Sequence, residues 1–296
     1  MRNADVGQHA ASGNPEERDP DRLLPADPRT RAIARDLYAR VADAPIVSPH
    51  GHVPVDWLVR DIPFHDPTSL LISHDHYVTR LLHASGVDLG ALGVAGSPAD
   101  PREAWRIVAE RWSIFAGTAS GYWLEEELAE VLGITEPLNA GTADRIYDRI
   151  QQQLDTPQFR PRALFKRFGI EVLATTDDPL DDLRGHAHLA GGDLPGRVIP
   201  TFRPDQYLDP QATGFRENVE RLLASASAPA TFDGYLAALE GRREHFRRHG
   251  AVSTDHGVEE AYTVDMSASE AASLFQQVVT GRADATQTRD LSLIHI

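Results

Sequence analysis

Apolar residues follow two rhythms along this chain. Residues 30–42 (TRAIARDLYARVA) place Ile33, Leu37 and Val41 at helical spacing. The stretch 66–85, around TSLLISHDHYVTRLLHASG, also predicts helix, and residues 100–165 carry only helical patterns such as EAWRIVAERWSIF, YWLEEELAEVLG and TADRIYDRIQQQL. Between and after these lie short β-like runs: APIVSP, IEVLATTDDP, RVIPTFRPD and GAVSTDHG. Helical spacing returns at 214–225, at 231–249 and at 267–280. The middle one sets Phe232, Tyr235, Leu236, Leu239 and Phe246 on one face.

Apolar strands alternating with helices predict a parallel α/β architecture. Ionisable residues follow each strand, and in a (β/α)₈ barrel that edge carries the active site. A doubly wound sheet is the alternative. It lacks support, because no Gly-rich phosphate loop follows a strand and GALGVAG has no strand before it. The expected fold class is therefore α/β, a TIM-type (β/α)₈ barrel. It is expected to be incomplete, since only four or five strands precede the ending RADATQTRDLSLIHI, which finishes on the apolar hexapeptide LSLIHI. Residues 1–28, rich in Pro, Asp, Arg and Gly, are expected as a disordered N-terminal extension. Residues 29–296 are expected to form one partial barrel domain with an all-helical insert at about 100–165.

Composition narrows the chemistry. Among 296 residues, 29 are basic and 44 acidic, a formal charge of -15. Such a field repels phosphate backbones and anionic lipid, so neither nucleic acid nor a membrane is expected as a partner. An acidic ligand would need a local cluster of Arg or His. With no cysteine, any metal must be held by His, Asp or Glu. No secretory leader and no run of about 18 apolar residues is visible, which makes the cytoplasm the default expectation.

His50-x-His52 follows the strand PIVSP. Side chains two apart on a strand point the same way, so both imidazoles could serve one cation at about 2.0–2.1 Å. They could equally be two exposed loop histidines. Pro49 and Gly51 suggest a backbone kept tight around them. His74-x-His76 sits in an apparent helix, where i and i+2 do not face each other. His186-x-His188 reads as a solvated surface pair. His256 ends the last strand and is either structural or a third ligand. Arg203 and Asp205 form either a surface ion pair or a guanidinium poised for a carboxylate. Asp177-Asp178-Pro179 suits the cap of a following helix. The basic run GRREHFRRHG reads as a solvated face near a helix C-terminus.

In this order, HGH, DHYVTRLL, TTDDPLDDL, PTFRPD and STDHG, the chain resembles the uronate isomerases of the amidohydrolase superfamily, from residue 45 to about 285. The resemblance implies aldose–ketose isomerisation of D-glucuronate to D-fructuronate and of D-galacturonate to D-tagaturonate. It implies a divalent metal, usually zinc, with His50, His52 and His256 at the metal. It also implies that His76 and Tyr77 contact the substrate and take part in acid/base chemistry, and that Arg203 binds the sugar acid. The expected partner is thus a small-molecule uronate, and a homo-oligomer stays open. One departure stands out. The family's last barrel strand carries a metal-binding Asp with an Arg two residues on, and neither occurs here. The resemblance therefore implies a C-terminally truncated chain with little or no activity by itself. The alternatives are another metal-dependent hydrolase of the superfamily and a non-enzymatic barrel fragment. The sole lysine, Lys166, precedes a strand rather than ending one, which argues against a bridging carbamate.

Overall fold

Short polar side chains start the helices. Asp27, Asp100, Thr118, Thr231 and Ser267 each accept a hydrogen bond from a backbone N–H of the first turn that no helical carbonyl can reach. Pro28 and Pro101 occupy first helical positions, and Ser267 with Glu270 forms a capping box. The structure is a computed structural model in which residues 19–94, 100–257 and 263–292 are described. It divides into two units, Met1–Ala44 with Ile62–Leu164 and Pro45–Asp61 with Phe165–Ile296.

Among its described residues the first unit holds helices and turns and no strand. Helix Pro101–Glu110 buries Ala104, Trp105, Val108 and Ala109, and helix Ala143–Leu154 buries Ala143, Ile146, Tyr147, Ile150 and Leu154. These are the i, i+3, i+4 stripes that the sequence pattern predicts. Trp105 is 1% exposed and its Nε1 donates to the Ala143 carbonyl at 3.0 Å, so the indole is buried without an orphaned donor. The stretch 66–85 departs from the single helix expected. A π turn at Ser69–Ser73 ends at His74, and a new helix, His76–Ala84, starts after Asp75. The cause is Asp75 itself, whose carboxylate accepts from the Tyr77 and Val78 amides as an N-cap.

Helix Pro28–Ala39 forms as expected, yet no residue on it is buried, and Ile33 and Leu37 stay more than half exposed. Of the extension expected over residues 1–28, residues 1–18 lie outside the described residues. From Asp19 onward the chain forms turns, held by ion pairs of Asp21 with Arg35 and of Arg22 with Glu126. The last four residues of the apolar ending LSLIHI also lie outside the described residues.

Among its described residues the second unit carries three parallel strands in the order β1 (Ile46–Ser48), β2 (Ile170–Ala174) and β3 (Arg197–Ile199). Parallel pairing requires a crossover between strands, and helix Arg184–Ala190 lies within the one from β2 to β3. Alternation sorts the strand residues by face. Leu173 and Val198 pack with Leu58, Phe165 and Leu189, whereas Val172, Ala174 and Ile199 cluster separately. Past the strands the pairing continues as isolated parallel bridges, Asp177 with Phe202 and Phe202 with Thr254. GAVSTDHG, expected as a short strand, pairs among the described residues at Thr254 alone, and its Val252 is 83% exposed.

A further core in this unit gathers Phe202, Tyr207, Phe215, Phe232, Tyr235, Phe246 and Phe275. The helix predicted at 231–249 runs Phe232–Arg248 and buries Phe232, Tyr235, Leu239 and Phe246. Its basic end is not wholly solvated: the Arg242 guanidinium donates to the carbonyls of Pro179 and Asp181. Among the described residues no helix is long and apolar enough to cross a membrane.

Candidate functional site

The HGH segment leaves β1 and is clamped at two carbonyls. Ser48 Oγ donates to the His50 carbonyl at 3.1 Å, and Thr176 Oγ1, just past β2, donates to the Gly51 carbonyl at 2.7 Å. Gly51 allows this approach, since a Cβ there would stand 3.2 Å from the Ala174 carbonyl oxygen. With the backbone held, the two half-exposed imidazoles meet edge to face, ring centroids 4.8 Å apart. Their Nε2 atoms are 3.1 Å apart. Two nitrogens at 2.0–2.1 Å from one tetrahedral cation would be about 3.3 Å apart. The pair therefore fits two ligands of a zinc-like ion, and it also suits a hydrogen bond between two neutral rings.

The segment after β3 supplies Arg203. Its Nε donates to Asp205 Oδ2 at 2.9 Å and its Nη1 to Asp255 Oδ2 at 3.0 Å. The same Asp255 oxygen lies 3.8 Å from His50 Nδ1. Asp205 is fixed in turn by the Gly257 amide at 2.8 Å. A guanidinium between two carboxylates at the mouth of parallel strand ends, one carboxylate also facing the HGH pair, gives one contiguous polar site. The ion-pair reading of Arg203 and Asp205 is present in the structure. The grip of Asp255 on Arg203 is not legible in the sequence, because contacts between residues some fifty positions apart bring those two segments together, the Phe202–Thr254 bridge and the Gly257–Asp205 bond among them.

His256 does not join His50 and His52. Its Nε2 sits 3.1 Å from Thr254 Oγ1, the hydroxyl two residues back on the same face of an extended segment. Among the described residues no group of three or more His, Cys, Asp or Glu stands close enough to hold a metal ion. The site in this structure is thus a two-imidazole pair, in place of the three-imidazole set that the sequence suggests.

His76 and Tyr77 belong to the first unit. Both are exposed at the start of their helix, their rings 4.2 Å apart, with Trp123 edge-on to Tyr77 at 5.9 Å and the Arg80 guanidinium over the Tyr77 ring. Near Asp75, the carboxyl of Glu127 is pushed up to about 6 by desolvation and by the Asp75 charge.

Two expectations are corrected. His186, read as a solvated surface residue, is 2% exposed. Its Nε2 lies 2.8 Å from Thr175 Oγ1, which donates to Asp177 Oδ2 at 2.6 Å. Burial lowers the His186 pKa and raises that of Asp177. Asp177 and Asp178 do not cap the next helix, which begins after Leu183. Asp177 turns inward to Thr175 and the Thr201 amide, and Asp178 accepts from the Leu180 amide and the Tyr207 hydroxyl. The sequence signal missed was the Thr at 175, whose side chain points to the same side as that of Asp177.

A family model described as glucuronate isomerase matches residues 29–292. The uronate isomerase of Corynebacterium efficiens is 49% identical over 274 residues, covering 91% of this chain and 58% of that protein. That of Cutibacterium acnes is 51% identical over 268 residues, covering 89% and 57%. The crystal structure of glucuronate isomerase from Caulobacter crescentus superposes with a TM-score of 0.89 at 42% identity, over 94% of this chain and 59% of that one. The crystal structure of uronate isomerase from Thermotoga maritima gives 0.82 at 28% identity, over 92% and 59%. The chain thus spans less than two thirds of the length of these relatives.

Proposed function

The chain belongs to the glucuronate isomerase family, and from that premise we propose that its strand-end site serves the aldose–ketose isomerisation of uronates. The observation that carries this reading is the pairing of His50 and His52 at 3.1 Å with Arg203 held beside them through Asp255. In the reaction a proton leaves C2 of the aldose and returns at C1 of the resulting enediol, while the C2 hydroxyl becomes the carbonyl. D-Glucuronate would give D-fructuronate, and D-galacturonate D-tagaturonate. We read β1 to β3 and the bridges at Phe202 and Thr254 as an arc of a (β/α)₈ barrel, with the site at the ends of its strands.

His50 and His52 would hold a divalent ion, zinc in our reading, with His256 as the further candidate. Bound there, the ion would polarise substrate oxygens and offset developing negative charge. Arg203 orients the uronate carboxylate: the contacts to Asp205 and Asp255 use two of its five N–H donors and fix the plane of the rest. His76 and Tyr77 contact the substrate hydroxyls and move the proton. Charge sets a condition on binding. Arg203, Asp205 and Asp255 sum to one negative charge, which repels a uronate, and a divalent cation reverses that sign.

The hydrolase alternative is not favoured, because Lys166 sits in the last turn of helix Pro161–Arg167 and not at a strand end. Turnover by this chain by itself is expected to be low, since two imidazoles make a weak cation site. The test is titration with D-glucuronate and D-galacturonate, with and without zinc, followed by assay for the ketouronate. Zinc-dependent uronate binding is expected, and any ketouronate formed supports the reading outright. Binding of neither uronate in saturating zinc would sink it.

A further inference from the structure

Three buried polar groups next to the site remain unused by this account. Thr175, His186 and Asp177 are 1%, 2% and 9% exposed. The Thr175 hydroxyl owns one proton and meets Asp177 Oδ2 at 2.6 Å, His186 Nε2 at 2.8 Å and the Ile199 carbonyl at 3.2 Å. The shortest contact has the length of a hydroxyl donating to a carboxylate. The hydroxyl proton therefore goes to Asp177, and Thr175 must accept from His186. That fixes His186 as the neutral ring protonated at Nε2. Its Nδ1 is buried with no hydrogen-bond partner, which a bare nitrogen tolerates better than an N–H.

The chain of bonds ends on the segment that carries Arg203. Asp177 Oδ2 accepts the Thr201 amide at 3.2 Å. The Asp177 amide donates to the Thr201 carbonyl at 3.0 Å, and the Asp177 carbonyl accepts the Arg203 amide at 3.1 Å. Both the side chain and the backbone of Asp177 thus grip residues 201–203, just where β3 has ended and regular pairing has thinned to single bridges.

We propose that His186, Thr175 and Asp177 form a buried, proton-ordered clamp that positions Arg203 for a carboxylate. These are positioning residues, since none of them reaches the site surface. The inference rests on the uronate reading for the identity of the ligand, and on geometry alone for the clamp. A purely structural role would stabilise the fold without favouring a carboxylate ligand over a neutral one. A positioning role ties the hydroxyl of Thr175 to that preference.

The experiment compares the parent chain with Thr175→Val, which keeps the shape and loses the hydroxyl, and with Thr175→Ser, which keeps the hydroxyl. Titration calorimetry in saturating zinc reads the affinity for D-glucuronate against that for D-glucose. The preference for glucuronate is expected to fall about tenfold or more in Thr175→Val, the worth of one hydrogen bond to a charged group, and to be retained in Thr175→Ser. An unchanged preference in Thr175→Val overturns the proposal. If the parent binds neither sugar, the uronate reading has failed separately, and amide hydrogen exchange then decides about the clamp. Exchange at Thr201 and Arg203 must quicken in Thr175→Val relative to helix Phe232–Arg248, and equal rates overturn it. One measurement needs no variant. Long-range nitrogen–proton spectra of the parent must show His186 neutral and protonated at Nε2, and a proton on Nδ1 would overturn the proton order.

Discussion

The helical core of the first unit and the strand ends of the second bury opposite kinds of surface. In the first, helices Pro101–Glu110 and Ala143–Leu154 bring together Trp105, Val108, Ile146 and Ile150, all at or below 1% exposure. In the second, the strand ends bury Thr175, Asp177, His186 and Thr201 among apolar neighbours, while β1 leaves Ile46 and Val47 about half exposed. An apolar core stabilises through area removed from water and tolerates small shifts. A buried polar set adds little net stability, yet it admits few arrangements, because each unmade hydrogen bond costs the desolvation of its group. The lesson is a division of labour. The apolar cores of both units supply stability, and the strand ends spend some to hold an arginine and two imidazoles in place.

Three changes test that contrast. The largest effect is expected from Trp105→Ala, which opens a cavity and orphans the Ala143 contact. It should cost about 3–5 kcal/mol in urea unfolding. Zinc binding in native buffer should persist, and its loss would show that the site depends on the helical core after all. Gly51→Ala should cost about 1–2 kcal/mol, since the new methyl presses on the Ala174 carbonyl at 3.2 Å. Here zinc affinity should fall along with stability. A stability loss with unchanged affinity would separate the clamp on Gly51 from the placement of the imidazoles.

The smallest effect is one of pH. His186 has its pKa lowered by burial, so the unfolded chain takes up a proton near 6.5 that the folded chain refuses. Stability should therefore decline as pH falls through that value and level off below the folded pKa. Asp177 acts in the opposite sense. Its raised pKa makes stability fall as pH rises from 3.8 toward the folded value. Urea unfolding of the parent and of His186→Asn between about pH 5 and 7 isolates the histidine limb. A slope that survives the substitution would place the titration elsewhere.

How much of this the sequence revealed follows from the range of each interaction. The stripes of the helices at 101–110, 143–154 and 232–248 are local, and periodicity finds them. The HGH pair and Arg203 were visible because each follows a short apolar strand. The break at His74–Asp75 was missed because a carboxylate N-cap outweighed an unbroken helical pattern. His186 reads as a surface residue in the sequence, since its partner Thr175 lies at the end of the preceding strand and no local rule joins them. No local rule joins Asp255 to Arg203 either. GAVSTDHG was read as a strand from its apolar start, but it has a pairing partner only at Thr254.

The central claim is that His50 and His52 form a cation site whose occupancy lets Arg203 accept a uronate. The most direct measurement is D-glucuronate titration of the parent and of the His50→Ala, His52→Ala double variant, each with and without zinc. The parent should bind glucuronate only when zinc is present, and the double variant should bind it in neither condition. Equal glucuronate affinity in the parent with and without zinc, or zinc-dependent binding that persists in the double variant, would contradict it.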